Sequence, residues 1–191
     1  MLVASMLPRH PRRQALRKAV AELRRGGVLA YPTEGVWGLG CDPRNRRALR
    51  KILALKARPQ KKGVLLVAAN QAQTRFYWQA TEPLALQPEA YWPGTTLVLP
   101  ASRPCPAWIR GQHDGIALRV SAHPGIRALC RAFGGAIVST SANPAGKRPA
   151  RSLRELRRHF GRDLLTLPAR LGGQGRPSRI IDARSGKILR S

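Results

Sequence analysis

The sequence has few acidic residues and many basic ones. Nine Asp and Glu stand against 35 Lys and Arg, so the formal net charge is +26 over 191 residues. This shortage of carboxylates argues against a metal site built from protein carboxylates. The positive charge should attract anions over long range. Nucleic acids, nucleotides and acidic surfaces all meet that requirement, and the sign of the charge alone does not distinguish them.

Cysteine, histidine and aromatic residues are also scarce. The three cysteines, Cys41, Cys105 and Cys130, are far apart and form no C-x-x-C pair, which argues against a disulfide framework or a zinc site. The four histidines are scattered and include no H-x-x-x-H pair. Aromatic residues make up 5% of the chain and are not grouped into a block for base stacking.

Long apolar runs are absent as well. No run approaches the roughly 20 residues that a transmembrane helix needs. The N-terminal stretch MLVASMLPRHPRR places its charges after a short apolar segment, unlike a signal peptide. We therefore expect a cytoplasmic protein without membrane contact. A length of 191 residues is typical of one domain, and we expect residues 1–191 to form a single domain.

The sequence motifs of several enzyme classes are missing. There is no G-x-x-x-x-G-K-[ST] phosphate loop, no G-x-G-x-x-G dinucleotide fingerprint and no G-x-S-x-G nucleophile elbow. The segment GLGCDP, from Gly38 to Pro43, offers only G-x-G, which is a weak signal. We interpret Gly38 and Gly40 as positions where the absence of a side chain allows unusual backbone conformations and the close approach of a ligand.

Apolar periodicity predicts alternating helices and strands. Helices are predicted over residues 12–25, 45–56 and 123–135, and an S-x-x-E capping box at Ser152 and Glu155 predicts one more. Strands are predicted over 28–31, 63–69, 95–101, 115–121, 136–143, 164–167, 179–183 and 187–190. This alternation predicts an α/β fold with a mixed sheet. The Pro/Gly-rich stretches 100–111 and 172–177 are predicted surface loops, the second a candidate for mobility.

Polar residues form four clusters where predicted apolar elements end or are interrupted. They are Tyr31, Thr33 and Glu34; Lys56 and Arg58; Arg119; and Ser139, Ser141 and Asn143. Ligands of open α/β sheets bind beyond the strand ends, so these residues are candidates for a site. Each cluster alone also has a simpler interpretation: basic residues stabilise helix C-termini, Ser and Asn form turns, and an arginine in a strand can point to water.

Six ordered sequence blocks carry a resemblance to a known family. They are YPTE…GLGCDP, LKARP…KGVLLVAAN, WPG…TLVLP, ALRVSAHP, VSTSAN and PSRIID, and together they span nearly the whole chain. In this order they resemble the YrdC/TsaC family of threonylcarbamoyl-AMP synthases. The resemblance implies one YrdC-like domain, built on a twisted open mixed α/β sheet flanked by helices, with a concave, positively charged face.

The resemblance also implies a reaction. L-Threonine, bicarbonate (or CO2) and ATP would give L-threonylcarbamoyl-AMP and pyrophosphate. A downstream threonylcarbamoyl transferase complex would then use the product to make N6-threonylcarbamoyladenosine (t6A) at position 37 of tRNA. The nucleophiles belong to the substrates, which agrees with the absence of catalytic triads. Mg2+ is expected on the ATP phosphates, held mainly by substrate oxygens and water.

Site residues follow from the same resemblance, position by position. The expected catalytic residues are Lys56, Arg58 and Glu34, with Lys56 and Arg58 at the ATP phosphates. Thr33 is expected to contact threonine, and the other expected substrate-binding residues are Tyr31, Arg119 and Thr96. The residues expected around the nucleotide are Ser139, Ser141, Asn143 and Ser178.

Three positions leave alternatives open. The stretch WPGTTLVLP is one residue shorter than the family spacing, so Thr95 could take the place of Thr96. Arg179 stands where the family has a small or acidic residue, and it either adds charge beside the site or faces solvent. Glu34 either helps to deprotonate the threonine ammonium group or braces nearby arginines.

A basic RNA-binding protein without catalysis is the alternative function. The net charge favours it, as do three arginine-rich segments, RHPRRQALRK, RNRRALRK and RELRRHFGR. The same segments also fit solvated helix faces, and the shortage of aromatic residues argues against recognition by base stacking. We therefore expect binding of tRNA or other RNA on a basic face as a secondary property.

Overall fold

A computed structural model describes Pro8 and residues 10–79, 83–174 and 178–191. Nine strands form one sheet in the order β7-β1-β2-β6-β3-β5-β4-β8-β9. The strands are β1 (Leu29–Pro32), β2 (Trp37–Gly40), β3 (Leu65–Ala68), β4 (Thr96–Pro100), β5 (Gly115–Val120), β6 (Ile137–Ser141), β7 (Leu165–Thr166), β8 (Ile180–Asp182) and β9 (Ile188–Arg190). The pairs β1/β7, β3/β5 and β4/β8 are parallel and the other neighbours are antiparallel. The predicted mixed α/β sheet is therefore confirmed.

The helices of the described residues are α1 (Arg13–Arg24), α2 (Arg46–Lys56), α3 (Pro88–Tyr91), α4 (Ala107–Arg110), α5 (Pro124–Phe133) and α6 (Leu153–Phe160). The capping residues lie where the sequence predicts, although Glu155 reaches the Arg151 amide instead of the N-cap amide of Ser152. At the start of α6, the Ser152 hydroxyl accepts a hydrogen bond from Glu155 N at 3.1 Å, while the Glu155 carboxylate accepts one from Arg151 N at 2.7 Å. Pro124 opens α5, and Gly134 ends it in the left-handed region.

The sheet buries apolar side chains on both of its faces. Leu29 and Tyr31 of β1 belong to one buried cluster, together with residues of α1 and α5, whereas Ala30 between them belongs to the other. The same alternation separates Leu66 from Val67 in β3. Because successive strand residues point to opposite faces, helices on both sides cover this sheet.

One part of the sheet remains open on the face that carries α1 and α5. Strand register aligns Ser139, Leu65, Ala117, Val98 and Asp182 across five neighbouring strands. All five residues line one cleft. The helices α1 and α5 pack against β1, β3 and β7, so the cleft lies beside the part of the face that they cover.

Two sequence expectations differ from the structure. The segment around Gly38 and Gly40 forms strand β2, which pairs with β1 and β6. A Cβ on Gly40 would lie 2.6 Å from Cε1 of Tyr31 and 2.7 Å from the Val138 carbonyl oxygen, so this glycine gives room to Tyr31 rather than to a ligand. Gly38 does line the cleft, and its approach to a ligand stays a prediction. The expected loop over 100–111 contains the short helix α4.

The expected mobile loop over 172–177 lies partly outside the described residues, which include only 172–174 of it. Across the ranges that the structure describes, none of the helices combines the length and the apolar character needed to cross a membrane.

Candidate active site

The cleft on the open face of the sheet has a volume of about 830 Å3. It contains most of the residues expected at the site: Thr33, Glu34, Arg58, Arg119, Ser139, Ser141 and Ser178 all line it. The remaining expected residues are placed behind these, as described below: Tyr31, Lys56, Thr96 and Asn143. The structure thus brings together side chains from segments that are far apart in sequence.

Thr33 holds the turn between β1 and β2 at one side of the cleft. Its hydroxyl donates to the Val36 carbonyl oxygen at 2.8 Å and lies 3.4 Å from the amide nitrogens of Gly35 and Val36. Its own amide also donates to the Val36 carbonyl, at 3.0 Å. The threonine therefore shapes this turn, and its half-buried side chain lines the cleft beside Glu34.

Glu34 is buried and engaged by several donors. Its Oε1 lies 2.9 Å from Nη2 of Arg119 and accepts hydrogen bonds from the Ser121 hydroxyl at 2.7 Å and the Ala122 amide at 3.1 Å. The side chain of Arg119 is buried as well, although it lies in a strand. The ion pair therefore joins the β1–β2 turn to the end of β5.

The surroundings of Glu34 keep its carboxyl group ionised. Burial by itself raises the pKa, but the Arg119 guanidinium and the hydrogen bond from Ser121 outweigh it, so the pKa lies below its usual value. A carboxylate with a lowered pKa is a weak base. The geometry favours bracing of Arg119 over proton abstraction for Glu34.

Lys56 ends α2 beneath the loop that follows β6. Its Nζ donates to the Ser141 carbonyl oxygen, to the Asn143 carbonyl oxygen at 2.8 Å and to Asn143 Oδ1 at 3.4 Å. Burial and the neighbouring Arg58 lower the pKa of Lys56 to about 8. Lys56 is buried and contacts the loop rather than the cleft surface.

Arg58 projects into the cleft after α2 ends. Its Nη2 donates to the Gly63 carbonyl oxygen at 3.0 Å, while its buried Nε has no hydrogen-bond partner among the described residues. Burial lowers the pKa of its guanidinium. A partly buried cation with a free donor is suited to an anionic group of a ligand.

Strand β6 places hydroxyl groups in the cleft, and the loop after it supports them. Ser139 and Ser141 are on the cleft face of β6. Asn143 supports the loop itself, because its Nδ2 donates to the Pro144 carbonyl at 3.0 Å and the Lys147 carbonyl at 2.8 Å. Tyr31 likewise acts as a support and does not line the cleft. It is fully buried, and its hydroxyl donates to the Val138 carbonyl of β6 at 3.2 Å.

Thr96 is fully buried, and its Oγ1 lies 2.9 Å from Oγ of Ser178, which lines the cleft. Thr95 is half-buried and does not line the cleft. Arg190, at the end of β9, donates to the Ser178 carbonyl at 2.8 Å. Arg179 is exposed to solvent and does not line the cleft.

Sequence reasoning did not identify several cations of the cleft. They are Lys62, Arg110, Arg184 and Arg190. Arg190 is the last residue of a predicted short strand, so the rule that sites lie at strand ends would have found it. Lys62, Arg110 and Arg184 stand among many exposed basic residues and have no distinguishing pattern.

Three acidic residues that the structure describes line the cleft; Glu34 and Asp182 have other partners, and Asp114 is exposed. Asp182 Oδ1 accepts hydrogen bonds from the amides of Arg184 at 2.9 Å and Ser185 at 3.2 Å, and Glu34 is paired with Arg119. Within the described ranges, no group of three or more His, Cys, Asp or Glu is arranged to hold a metal ion. The cleft is thus suited to anions.

Comparisons with known proteins agree with this architecture. A family model named Sua5/YciO/YrdC and described as telomere recombination matches residues 21–191. The threonylcarbamoyl-AMP synthase of Halorhodospira halophila is 55% identical over 178 residues, which are 92% of this chain and 93% of that protein.

Solved structures extend the likeness to the fold. P. abyssi Sua5 complexed with L-threonine matches with a TM-score of 0.77 and 29% identity, over 87% of this chain and 50% of Sua5. This chain therefore spans about half of Sua5. E. coli YciO matches with a TM-score of 0.79 and 23% identity, over 95% of this chain and 92% of YciO, and supports the fold alone. On its sequence and its fold, the chain belongs to the Sua5/YciO/YrdC family.

Proposed function

We propose that this chain is a threonylcarbamoyl-AMP synthase, which converts L-threonine, bicarbonate or CO2, and ATP into L-threonylcarbamoyl-AMP and pyrophosphate. The observation that carries the proposal is the composition of the cleft. Guanidinium groups of Arg58 and Arg119 and hydroxyls of Ser139 and Ser141 line one volume of about 830 Å3. A cleft of this size and charge suits several anionic groups at once. The relatives that carry this enzyme name support the same reaction.

The reaction needs no nucleophile from the protein. The threonine amine attacks CO2 and forms a carbamate, after losing a proton. A carbamate oxygen then attacks the α-phosphorus of ATP, and the bond to the pyrophosphate leaving group breaks. The protein has to bring a carbamate, a carboxylate and a triphosphate together, and this is catalysis by positioning and by electrostatic stabilisation.

The nucleotide side of the cleft is formed by the segment after α2 and by β6 with the loop that follows it. Arg58 would donate to the phosphates through its Nε, which has no hydrogen-bond partner among the described residues. Ser139 and Ser141 would donate to the nucleotide, and Ser178 would do so from the segment before β8. Lys56 would act through the loop, since its three acceptors all belong to Ser141 and Asn143.

The threonine side is formed by the β1–β2 turn and by β5. Thr33 lines the cleft next to Glu34 and Arg119, and Arg119 would attract the threonine carboxylate. Glu34 holds Arg119 from the buried side. Tyr31 and Thr96 would support this site from the sheet, because both side chains are fully buried.

Mg2+ would bind to the ATP phosphates and to water rather than to a protein cage. The donor set of the cleft fits this arrangement, since two of its three described carboxylates, Glu34 and Asp182, already accept hydrogen bonds or an ion pair. The third, Asp114, would supply a single ligand rather than a cage. When bound, the ion would neutralise charge on the pyrophosphate leaving group.

The product and the charge of the protein suggest its partners and its location. L-Threonylcarbamoyl-AMP is an activated acyl phosphate, so a downstream transferase complex would use it to modify adenosine 37 of tRNA. The basic surface would bring tRNA or other RNA close to the enzyme. We place the reaction in the cytoplasm, where ATP and tRNA are available.

A pyrophosphate-release assay tests the proposal. Purified protein with ATP, bicarbonate and Mg2+ should release pyrophosphate only when L-threonine is added, and mass spectrometry should detect threonylcarbamoyl-AMP. Absence of threonine-dependent release over a range of pH and Mg2+ concentration would refute the proposed function.

Arg58→Ala should lower kcat/KM for ATP by about 100-fold, as expected for loss of a charge-assisted contact to the phosphates. The matched control is Arg50→Ala, because Arg50 is an exposed arginine on α2. Unchanged kcat/KM in a folded Arg58→Ala protein would remove Arg58 from the site.

A further inference from the structure

The orientation of Arg58 depends on the backbone of the loop that follows it. Its Nη2 donates to the Gly63 carbonyl oxygen at 3.0 Å and lies 3.5 Å from the Lys62 carbonyl oxygen. These acceptors fix one end of the guanidinium group and leave Nε without a hydrogen-bond partner in the described part of the chain. The positions of residues 62 and 63 therefore determine the orientation of the guanidinium group.

The segment 107–113 holds this loop in place. The Val64 amide donates to the Ile109 carbonyl oxygen at 2.8 Å, and the Gln112 amide donates to the Lys61 carbonyl oxygen at 3.1 Å. Ile109 is fully buried, so α4 is anchored in the core. The two hydrogen bonds lie on either side of Gly63 and connect its loop to an element that contributes no predicted site residue.

Gly63 and Gly111 approach each other too closely for any side chain. A Cβ on Gly111 would lie 2.4 Å from the Lys61 carbonyl oxygen and 2.6 Å from the Gly63 amide nitrogen. A Cβ on Gly63 would lie 2.5 Å from the Arg110 carbonyl oxygen. The opposing atoms are backbone atoms, which cannot move aside as the end of a flexible side chain can.

We propose that Gly111 is a positioning residue for Arg58: the segment 107–113 sets the backbone of Gly63, and the Gly63 carbonyl orients the Arg58 guanidinium toward the bound anion. The proposal rests on the proposed function only in naming ATP as that anion. It assigns a role in ligand binding to a glycine whose own backbone is not required to touch the ligand.

Four proteins test this coupling: wild type, Arg58→Ala, Gly111→Ala and the double variant. Calorimetry with ATP and with pyrophosphate measures their dissociation constants. Gly111→Ala should weaken binding by about tenfold, and the same change in the Arg58→Ala background should weaken it by less than about twofold, because coupled residues are not additive.

Gly161→Ala is the matched control for backbone strain. Gly161 has φ +79° and ψ −173°, and Gly111 has φ +67° and ψ −128°, so both lie outside the left-handed helical region. A Cβ on Gly161, however, would meet no described atom within 4 Å. Both substitutions introduce strain at a positive φ, so both should lower the melting temperature. Only Gly111→Ala should weaken the binding of ATP.

Equal weakening by Gly111→Ala with and without Arg58, or equal weakening by Gly161→Ala, would overturn the proposal. If Gly111→Ala does not fold, Ile109→Val supplies a milder displacement of the same segment, with an expected two- to threefold effect that disappears in the Arg58→Ala background. An additive effect of Ile109→Val would also overturn it. Wild-type protein that binds ATP but releases no pyrophosphate would refute the synthase function while leaving this coupling measurable.

Discussion

Glu34 shows how the surroundings of a residue decide between two chemical roles. An isolated acid beside a threonine in the sequence suits a base or a brace equally well. In the fold, its Oε1 faces Arg119, the Ser121 hydroxyl and the Ala122 amide. Each of these partners stabilises the charged form, and together they make the carboxylate a poor proton acceptor.

The stability of the protein should therefore depend on Glu34. Glu34→Gln should lower the free energy of unfolding at pH 7 by about 3 kcal/mol, because it leaves the buried Arg119 charge unpaired. The pKa of Glu34 is lowered from 4.5 by folding. The difference from wild type should thus be fully present above pH 4.5 and disappear as the pH falls through the folded-state pKa.

Urea unfolding between pH 3 and pH 7 measures this difference. The exposed Asp163 provides the control, because Asp163→Asn makes the same carboxylate-to-amide change without a buried partner. A Glu34→Gln protein as stable as the Asp163→Asn protein at pH 7 would contradict the bracing role.

Lys56 should also make the stability depend on pH, but through burial of its charge instead of through an ion pair. Burial lowers its pKa from 10.5 to about 8 in the folded protein. Between these two values the unfolded chain binds more protons than the folded protein, so the free energy of unfolding contributed by Lys56 should rise with pH. Wild type compared with Lys56→Met by urea unfolding from pH 7 to pH 10.5 should show this rise. A flat difference would mean that Lys56 keeps its ordinary pKa.

At the scale of the elements, the hairpin of β1 and β2 is stabilised by the packing of Tyr31 into the space beside Gly40. Tyr31 packs over Gly40, and its hydroxyl reaches the Val138 carbonyl of β6. A two-residue periodicity alone does not reveal this packing, because β2 contains two glycines among four residues. Contact with Tyr31 explains why a strand forms where the sequence analysis predicts none.

Gly40→Ala should destabilise the protein by about 1–3 kcal/mol, the range for overpacking a filled core. Its Cβ would meet the Val138 carbonyl oxygen, a backbone atom, at 2.7 Å. Gly135→Ala is the control, since a Cβ there would meet no described atom within 4 Å. Thermal unfolding compares the two, and equal melting temperatures would contradict the packing explanation.

At the scale of the whole molecule, charge and site are separate properties. The cleft uses a few of the 35 basic residues, and many others are exposed on α1, α2 and α6. A surface of this kind binds polyanions through counterion release, which carries no information about sequence. We expect this basic surface to bind RNA as a property separate from the chemistry of the cleft.

Affinity for tRNA should therefore fall steeply with salt, and equally for an unrelated RNA duplex. For about six neutralised phosphates, the loss between 50 mM and 200 mM salt is about 1,000-fold. Fluorescence anisotropy with both RNAs measures this slope. A tRNA preference that persists at 200 mM salt would instead indicate a specific recognition surface.

The sequence by itself determined where most of the elements form. Apolar spacing and capping residues located the main helices, most strands and the class of the fold, because these signals act over a few neighbouring residues. The resemblance of ordered blocks identified the family before any contact was known. The residues expected at the site came from those same blocks, and their roles stay predictions until the assays are done.

Only the tertiary structure decided which of these side chains meet. Strand register places Ser139 beside Leu65 and Ala117 in the cleft, and folding brings Arg119 against Glu34 across 85 residues of chain. It buries Lys56 under the loop after β6 and adds Arg190 to the cleft. Burial and ion pairing depend on such distant neighbours, so local patterns could not determine the state of Glu34, the placement of Lys56 or the contact between Gly63 and Gly111.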